Sequence, residues 1–262
     1  MVSNRPKGIN GSIKSDRADA VARLVAPESQ ICLHFDKSKP RLIMSIENAQ
    51  PREMITFGTY PQTAEGKDRT PIQWLVLEDS GGELLVLSKY ILDCKRYHSE
   101  FTDTSWRDCD LRRWLNNEFY HSAFTDAEKE LVKTTQNTDN GEDSPDTDDK
   151  VFLLGVAEVN SVTDKLGKDF RRTRGTEFAK IKKTDGCHLY VMDKNVDLDY
   201  ITVSGKKYGC SWWLLRNQGR LKDKGSDPSR AVFIGTRSSI RHYARVDLGG
   251  YGVRPALKLN LQ

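Results

Sequence analysis

The chain has 262 residues, of which 37% are hydrophobic and 30% charged, and its formal net charge is +4. That length can bury a sizeable core in one large domain or two small ones, and the composition is that of a soluble globular protein. No apolar run approaches the ~20 residues that span a bilayer, the N-terminus lacks the apolar core of a secretory signal, and so small a net charge does not argue for nucleic acid.

A cytoplasmic protein is therefore the default expectation. The five cysteines (Cys32, Cys94, Cys109, Cys187 and Cys210) show no Cys-x-x-Cys spacing, which favours reduced thiols over a disulfide framework. Charge is distributed unevenly. Residues 212–262 carry ten Lys/Arg against three Asp, whereas residues 137–149 carry six acids and no base.

In chain order, residues 1–14 read as a frayed terminus, followed by a short helix over 15–25 and strands over 31–35 and 41–46. Residues 1–50 are taken as an N-terminal extension, and 51–262 as the main domain. The main domain opens at Met54–Gln62. A hairpin is expected next, from Ile72–Leu77 to Leu84–Ser88 across Asp79-Ser80-Gly81-Gly82-Glu83. Leu111, Trp114, Leu115 and Phe119 make the stripe of an amphipathic helix, and Thr125 with Glu128 forms a capping box. The acidic stretch 137–149 is expected to be an exposed loop. Phe152–Val159 resumes the core, and Thr176–Lys183 suggests another short helix. Two buried strands, one beginning at Trp212-Trp213-Leu214-Leu215 and one over Val253–Leu261, flank a basic stretch that shows no regular period. Helices inserted between antiparallel hairpins predict the α+β class.

Few constellations carry chemistry. Cys94, His98, Cys109 and His121 do not have the spacing of a zinc site. Cys187 and His188 are neighbours in an extended run, so their side chains point apart. Asp139-Asn140-Gly141-Glu142-Asp143 departs from the calcium-loop pattern, and no glycine-rich phosphate loop is present. No catalytic residue, metal or cofactor is assigned. The basic C-terminal stretch remains, where arginines mix with aromatics in the manner of contact surfaces.

Ile55-Thr56-Phe57-Gly58-Thr59-Tyr60-Pro61-Gln62, Thr104–Asn116, Val151–Leu154, Trp212-Trp213-Leu214 with Arg216, and Gly252-Val253-Arg254-Pro255-Ala256-Leu257 occur in that order. In this the chain resembles the C-type-lectin-fold variable proteins of diversity-generating retroelements, over roughly residues 52–262. The resemblance implies a C-type lectin-like fold of the formylglycine-generating-enzyme type. It also implies a variable region at about 212–252 in which surface codons are rewritten. Trp212, Trp213, Arg254 and Pro255 would be scaffold. Asn217, Arg220, Arg237, Ser239, Arg241, His242, Tyr243, Arg245, Asp247 and Tyr251 would face solvent and bind the ligand. The chain departs from that family in an extra leucine, Leu215, and in Asn217-Gln218-Gly219 where relatives carry Ser-Pro-Gly.

The expected function is non-catalytic ligand binding, with an acidic protein as the partner, no membrane span and no nucleic acid. Charge reversal at Arg241 and Arg245 is expected to abolish binding and hardly move stability. An enzyme of the formylglycine-generating type, which would need a reactive cysteine, is the alternative, as is a fixed interaction domain of a larger assembly.

Overall fold

The computed structural model describes residues 30–31, 50–142, 144–192, 200–203 and 205–261. The helix expected over 15–25, and most of the two early strands, lie outside the described residues. The first strands are β1 (Gln30–Ile31), β2 (Met54–Tyr60), β3 (Thr70–Asp79), β4 (Glu83–Ser88) and β5 (Asp93–Cys94). Short strands follow at β6 (Val132–Lys133), β7 (Thr135–Asn137), β8 (Thr147–Asp149), β9 (Tyr200–Val203) and β10 (Lys206–Gly209). The chain closes with β11 (Trp213–Leu221), β12 (Gly225–Ile234), β13 (Ile240–Arg245), β14 (Gly252–Val253) and β15 (Ala256–Asn260). The helices are few and short: α1 (Asp110–Trp114), α2 (Tyr120–Ala123), α3 (Asp126–Leu131), α4 (Val156–Leu166) and α5 (Glu177–Lys180). The class is α+β, rich in strands.

One sheet has the order β1-β2-β3-β4-β15-β6 and another β13-β12-β11-β14-β5. The first grows from local signals. In the expected hairpin, the Asp79 carboxylate accepts from the amides of Gly81 and Gly82 at 3.0 and 3.4 Å, closing the turn between β3 and β4. Gly58 sits at φ +67, and a Cβ there would lie 2.5 Å from the Phe124 ring. Only glycine lets β2 pass that close. The helical stripe also forms, with Leu111, Leu115 and Phe119 buried, and a π turn (Leu115–Phe119) links α1 to α2. Thr125 and Glu128 cap α3 reciprocally. The second Glu128 oxygen accepts from the Gly58 amide at 3.0 Å, fixing the helix to the bend in β2.

The Gly252–Asn260 segment joins the two sheets. Its β14 end pairs with β11 and β5, and its β15 end inserts between β4 and β6. Arg254 lies at the crossing, 2% exposed. Its guanidinium donates to the Ser88 carbonyl at 2.8 Å and the Phe170 carbonyl at 2.5 Å, with Trp213 stacked 5.0 Å away. Carbonyls that strand pairing leaves over are satisfied by one buried cation.

The expectation for the acidic stretch fails. The stretch 137–149 is not an exposed loop, because β7 and β8 pair across it and Asn137, Asn140, Thr147 and Asp149 are buried. Burial is possible because these polar side chains bond one another: Asn137 Nδ2 and Thr147 Oγ1 both donate to Asp149 at 2.8 Å. The run 152–159 does resume the core, with Phe152, Leu153, Leu154 and Val159 buried; Phe152 bridges Ala256 in extended form, and Gly155 then starts helix α4.

Candidate functional site

The basic C-terminal stretch is regular, contrary to the sequence expectation. Strand β11 continues past the apolar Trp213–Leu215 run to Leu221, and β12 and β13 extend the hairpin to a three-stranded antiparallel edge. Register shifts at Leu214/Gln218, Gln218/Gly219 and Ala231/Phe233 break the alternation that would have marked these strands. The shifts bring β11 close beneath β13. A Cβ on Gly219 would lie 2.2 Å from the His242 carbonyl oxygen, so that position admits glycine alone.

Beneath the hairpin, buried polar side chains lock it to the rest of the domain. Arg216 is 2% exposed. It donates to the Asn140 side chain at 2.9 Å, the Leu153 carbonyl at 2.9 Å and the Glu158 carboxylate at 2.5 Å. The arginine therefore clamps β11 to the acidic stretch and to α4. Asp149 is 1% exposed and accepts from the Trp106 indole at 3.0 Å and from Arg112 at 2.6 Å, in addition to Asn137 and Thr147.

Two of the ten expected contact residues are not on the surface, which corrects the sequence reading. Asn217 is buried, its oxygen accepting from the Val156 amide at 2.7 Å and its Nδ2 donating to Asp139 at 2.9 Å. Tyr251 is buried against Trp212 and Phe233. Both side chains tie the hairpin down. Arg220, Arg237, Arg241 and Tyr243 are exposed, and Ser239, His242, Arg245 and Asp247 are half-buried.

The structure sorts the remaining residues into separate places. Arg237 and Ser239 stand on the turn between β12 and β13, where Ser239 Oγ accepts from Arg241 Nε at 3.0 Å. Arg241 is the register partner of Phe233, and Tyr243 packs edge-on against the same ring at 5.5 Å. These two border a row of aromatic rings that sequence reasoning missed. Tyr190 stacks on Trp212 at 3.8 Å, Trp212 on Tyr251 at 5.6 Å, and Tyr251 meets Phe233 at 4.9 Å. Trp212 was expected to be scaffold only, and no local signal linked Tyr190 to it across the chain. Tyr190 and Tyr243, at the two ends, are 37% and 52% exposed.

Arg245 is more constrained. It grips Asp247 through two contacts of 3.0 and 2.7 Å and lies 4.1 Å over the Phe101 ring. Charge reversal at Arg245 would set a carboxylate beside Asp247, so Arg241 is the cleaner probe of the surface.

Arg220 and His242 instead line a cleft of about 510 Å³, whose walls include Gly141, Glu142 and Val156. Burial, and then the Arg220 guanidinium, hold the His242 imidazole below its ordinary range. At neutral pH it is uncharged.

Cys94, Cys109, Cys187 and Cys210 are buried, and none of the four forms a disulfide. Burial is the main cause that pushes Cys109 up to about 12 and Cys187 up to about 11, and Cys94 also rises. These thiols are protonated at neutral pH, whereas attack requires the thiolate. In a Cys32→Ser background, Ellman's reagent is expected to label the native protein slowly and all four thiols once denaturant is added. Stoichiometric labelling within seconds in buffer would contradict this. Among the described residues, no group of three or more His, Cys, Asp or Glu could hold a metal ion, and no helix is long and apolar enough to cross a membrane.

A family model described as "Domain of unknown function (DUF6273)" matches residues 81–261. Strands β2 and β3 precede the matched segment, yet they pair with β4 in one sheet. No curated protein and no solved structure matches the chain.

Proposed function

We propose that this chain, which belongs to the DUF6273 family, is a non-catalytic binding protein that presents its C-terminal hairpin to an acidic protein partner. In this reading residues 51–262 form a C-type lectin-like scaffold of the formylglycine-generating-enzyme type, and the hairpin is its variable surface. The observation that carries it is the aromatic row ending in exposed Tyr243 beside exposed Arg241. Rigid aromatic rings next to arginine are the residue types that dominate binding energy at protein interfaces. Arg241 forms no ion pair among the described residues, so its charge is available to a partner. The ten Lys/Arg against three Asp of residues 212–262 favour an acidic one.

The scaffold supports variation. Arg216, Asn217, Trp213 and Arg254 are buried and bonded, while the side chains above them reach solvent. Surface replacements there alter stability by roughly 0.5 kcal/mol or less. If a retroelement rewrites this gene, natural isolates will differ at Arg220, Arg237, Arg241 and Tyr243, and at half-buried Ser239, His242, Arg245 and Asp247. Trp213, Arg216, Asn217 and Tyr251 will stay fixed. Population sequencing of the 3′ end of the gene, with a search for a near-identical template repeat, tests this. Uniform sequence across isolates would remove diversification and leave a binding domain of fixed specificity. Substitutions concentrated at the four buried positions would overturn the assignment of scaffold and surface.

A further inference from the structure

The cleft beside the hairpin joins Arg220 and His242, two residues of the proposed variable surface, to groups of the acidic stretch and of α4 that lie outside it. Arg220 on β11 and Glu142 on the acidic stretch both line it. Neither side chain makes an ion pair among the described residues, so one cation and one anion share the cavity without neutralising each other. Val156, Val232 and Ile240 supply an apolar lining between them. Gln218 adds a fixed part of the wall. Its Nε2 donates to the Thr104 carbonyl at 3.1 Å, which sets the amide orientation, and its buried Oε1 has no hydrogen-bond partner.

From this arrangement we propose that the cleft binds a free α-amino acid with an apolar side chain. The planar guanidinium of Arg220 matches the α-carboxylate in two parallel hydrogen bonds. The Glu142 carboxylate accepts from the α-ammonium. The side chain lies on Val156, Val232 and Ile240. His242 stands beside Arg220 as a neutral imidazole, so the carboxylate meets one cation and a ring able to donate one N–H. A volume of about 510 Å³ lies within the ordinary range for small-molecule sites. A simple anion would leave Glu142 opposed to it, and a metal ion would find a single carboxylate among these lining residues. A zwitterion satisfies both charged walls at once.

The test is calorimetric titration of the full chain with leucine, isoleucine, valine and phenylalanine, set against N-acetyl-leucine and leucinamide. At least one free amino acid is expected to bind and raise the melting temperature. Capping its ammonium or its carboxylate should weaken binding tenfold or more, as should Arg220→Ala or Glu142→Gln. Both residues are exposed, so each variant is expected to melt like the wild type in the absence of ligand. Failure of all four amino acids to bind would overturn the proposal. So would equal binding of the capped analogues, or unchanged affinity in Arg220→Ala. Glu142 lies outside the proposed protein-binding surface and Arg241 and Tyr243 stay intact in both variants, so loss of amino-acid binding in Glu142→Gln with acidic-peptide binding retained separates this proposal from the protein-binding reading.

Discussion

Replacing Arg216 by methionine is expected to lower the unfolding free energy by about 3–5 kcal/mol, the usual effect of removing one partner from a buried ion pair. Methionine fills much of the volume and keeps packing on Phe152, whose ring lies 5.8 Å from the guanidinium. The loss would therefore come from the polar groups left behind. Asn140, the Leu153 carbonyl and Glu158 each lose a donor at once. Against a typical total of ~5–15 kcal/mol, that is a large fraction. Because the same side chain holds β11 to the acidic stretch, amide exchange should rise at residues 139–142 as well as in β11. Denaturant unfolding measures the first effect and hydrogen exchange the second. A loss below about 1 kcal/mol, with protection unchanged, would show that the clamp is not needed.

The second large effect is expected at Asp149→Ala. Five side chains point donors at this one buried carboxylate, Asn116 the most distant at 3.4 Å, and truncation strands the Trp106 indole, the Asn137 amide, the Thr147 hydroxyl and Arg112 Nε. Arg112, 21% exposed, keeps its bonds to the Arg107 and Asp148 carbonyls, so the stranded neutral donors carry much of a loss of about 3 kcal/mol. Asp149→Asn keeps the shape and some acceptor capacity but loses the charge facing Arg112, so it should fall between wild type and alanine. Unfolding midpoints in urea check the order. If the alanine variant were as stable as wild type, the acidic stretch would be a dispensable surface loop after all.

These two residues mark where the sequence was legible and where it was not. The hairpin at Asp79–Glu83, the Thr125/Glu128 capping box and the Leu111–Phe119 stripe are written in residues a few positions apart, and each forms as its local chemistry demands. The acidic stretch has the composition of a solvated loop. Its burial depends on Trp106, Arg112 and Arg216, which lie far away in sequence, so no local pattern reports it. The strands β12 and β13 were hidden for a related reason, because bulges remove the period-2 signal over their polar residues. Asn217 and Tyr251 were expected at the surface because their types and neighbours suit it, yet Asp139, Val156, Trp212 and Phe233 enclose them. Tyr190 was passed over because only the fold brings it to Trp212.

The most direct measurement of the central claim is selection of random peptides on the immobilised protein, followed by affinity measurement with wild type and with Arg241→Glu/Tyr243→Ser. The selected peptides should be rich in Asp and Glu. Their affinity should fall at least tenfold in the double variant, by about 1.4 kcal/mol or more of binding energy, while its melting temperature stays within a few degrees of wild type. Peptides without acidic enrichment, or acidic peptides that bind the double variant as tightly as wild type, would contradict the assignment of this hairpin as the binding surface.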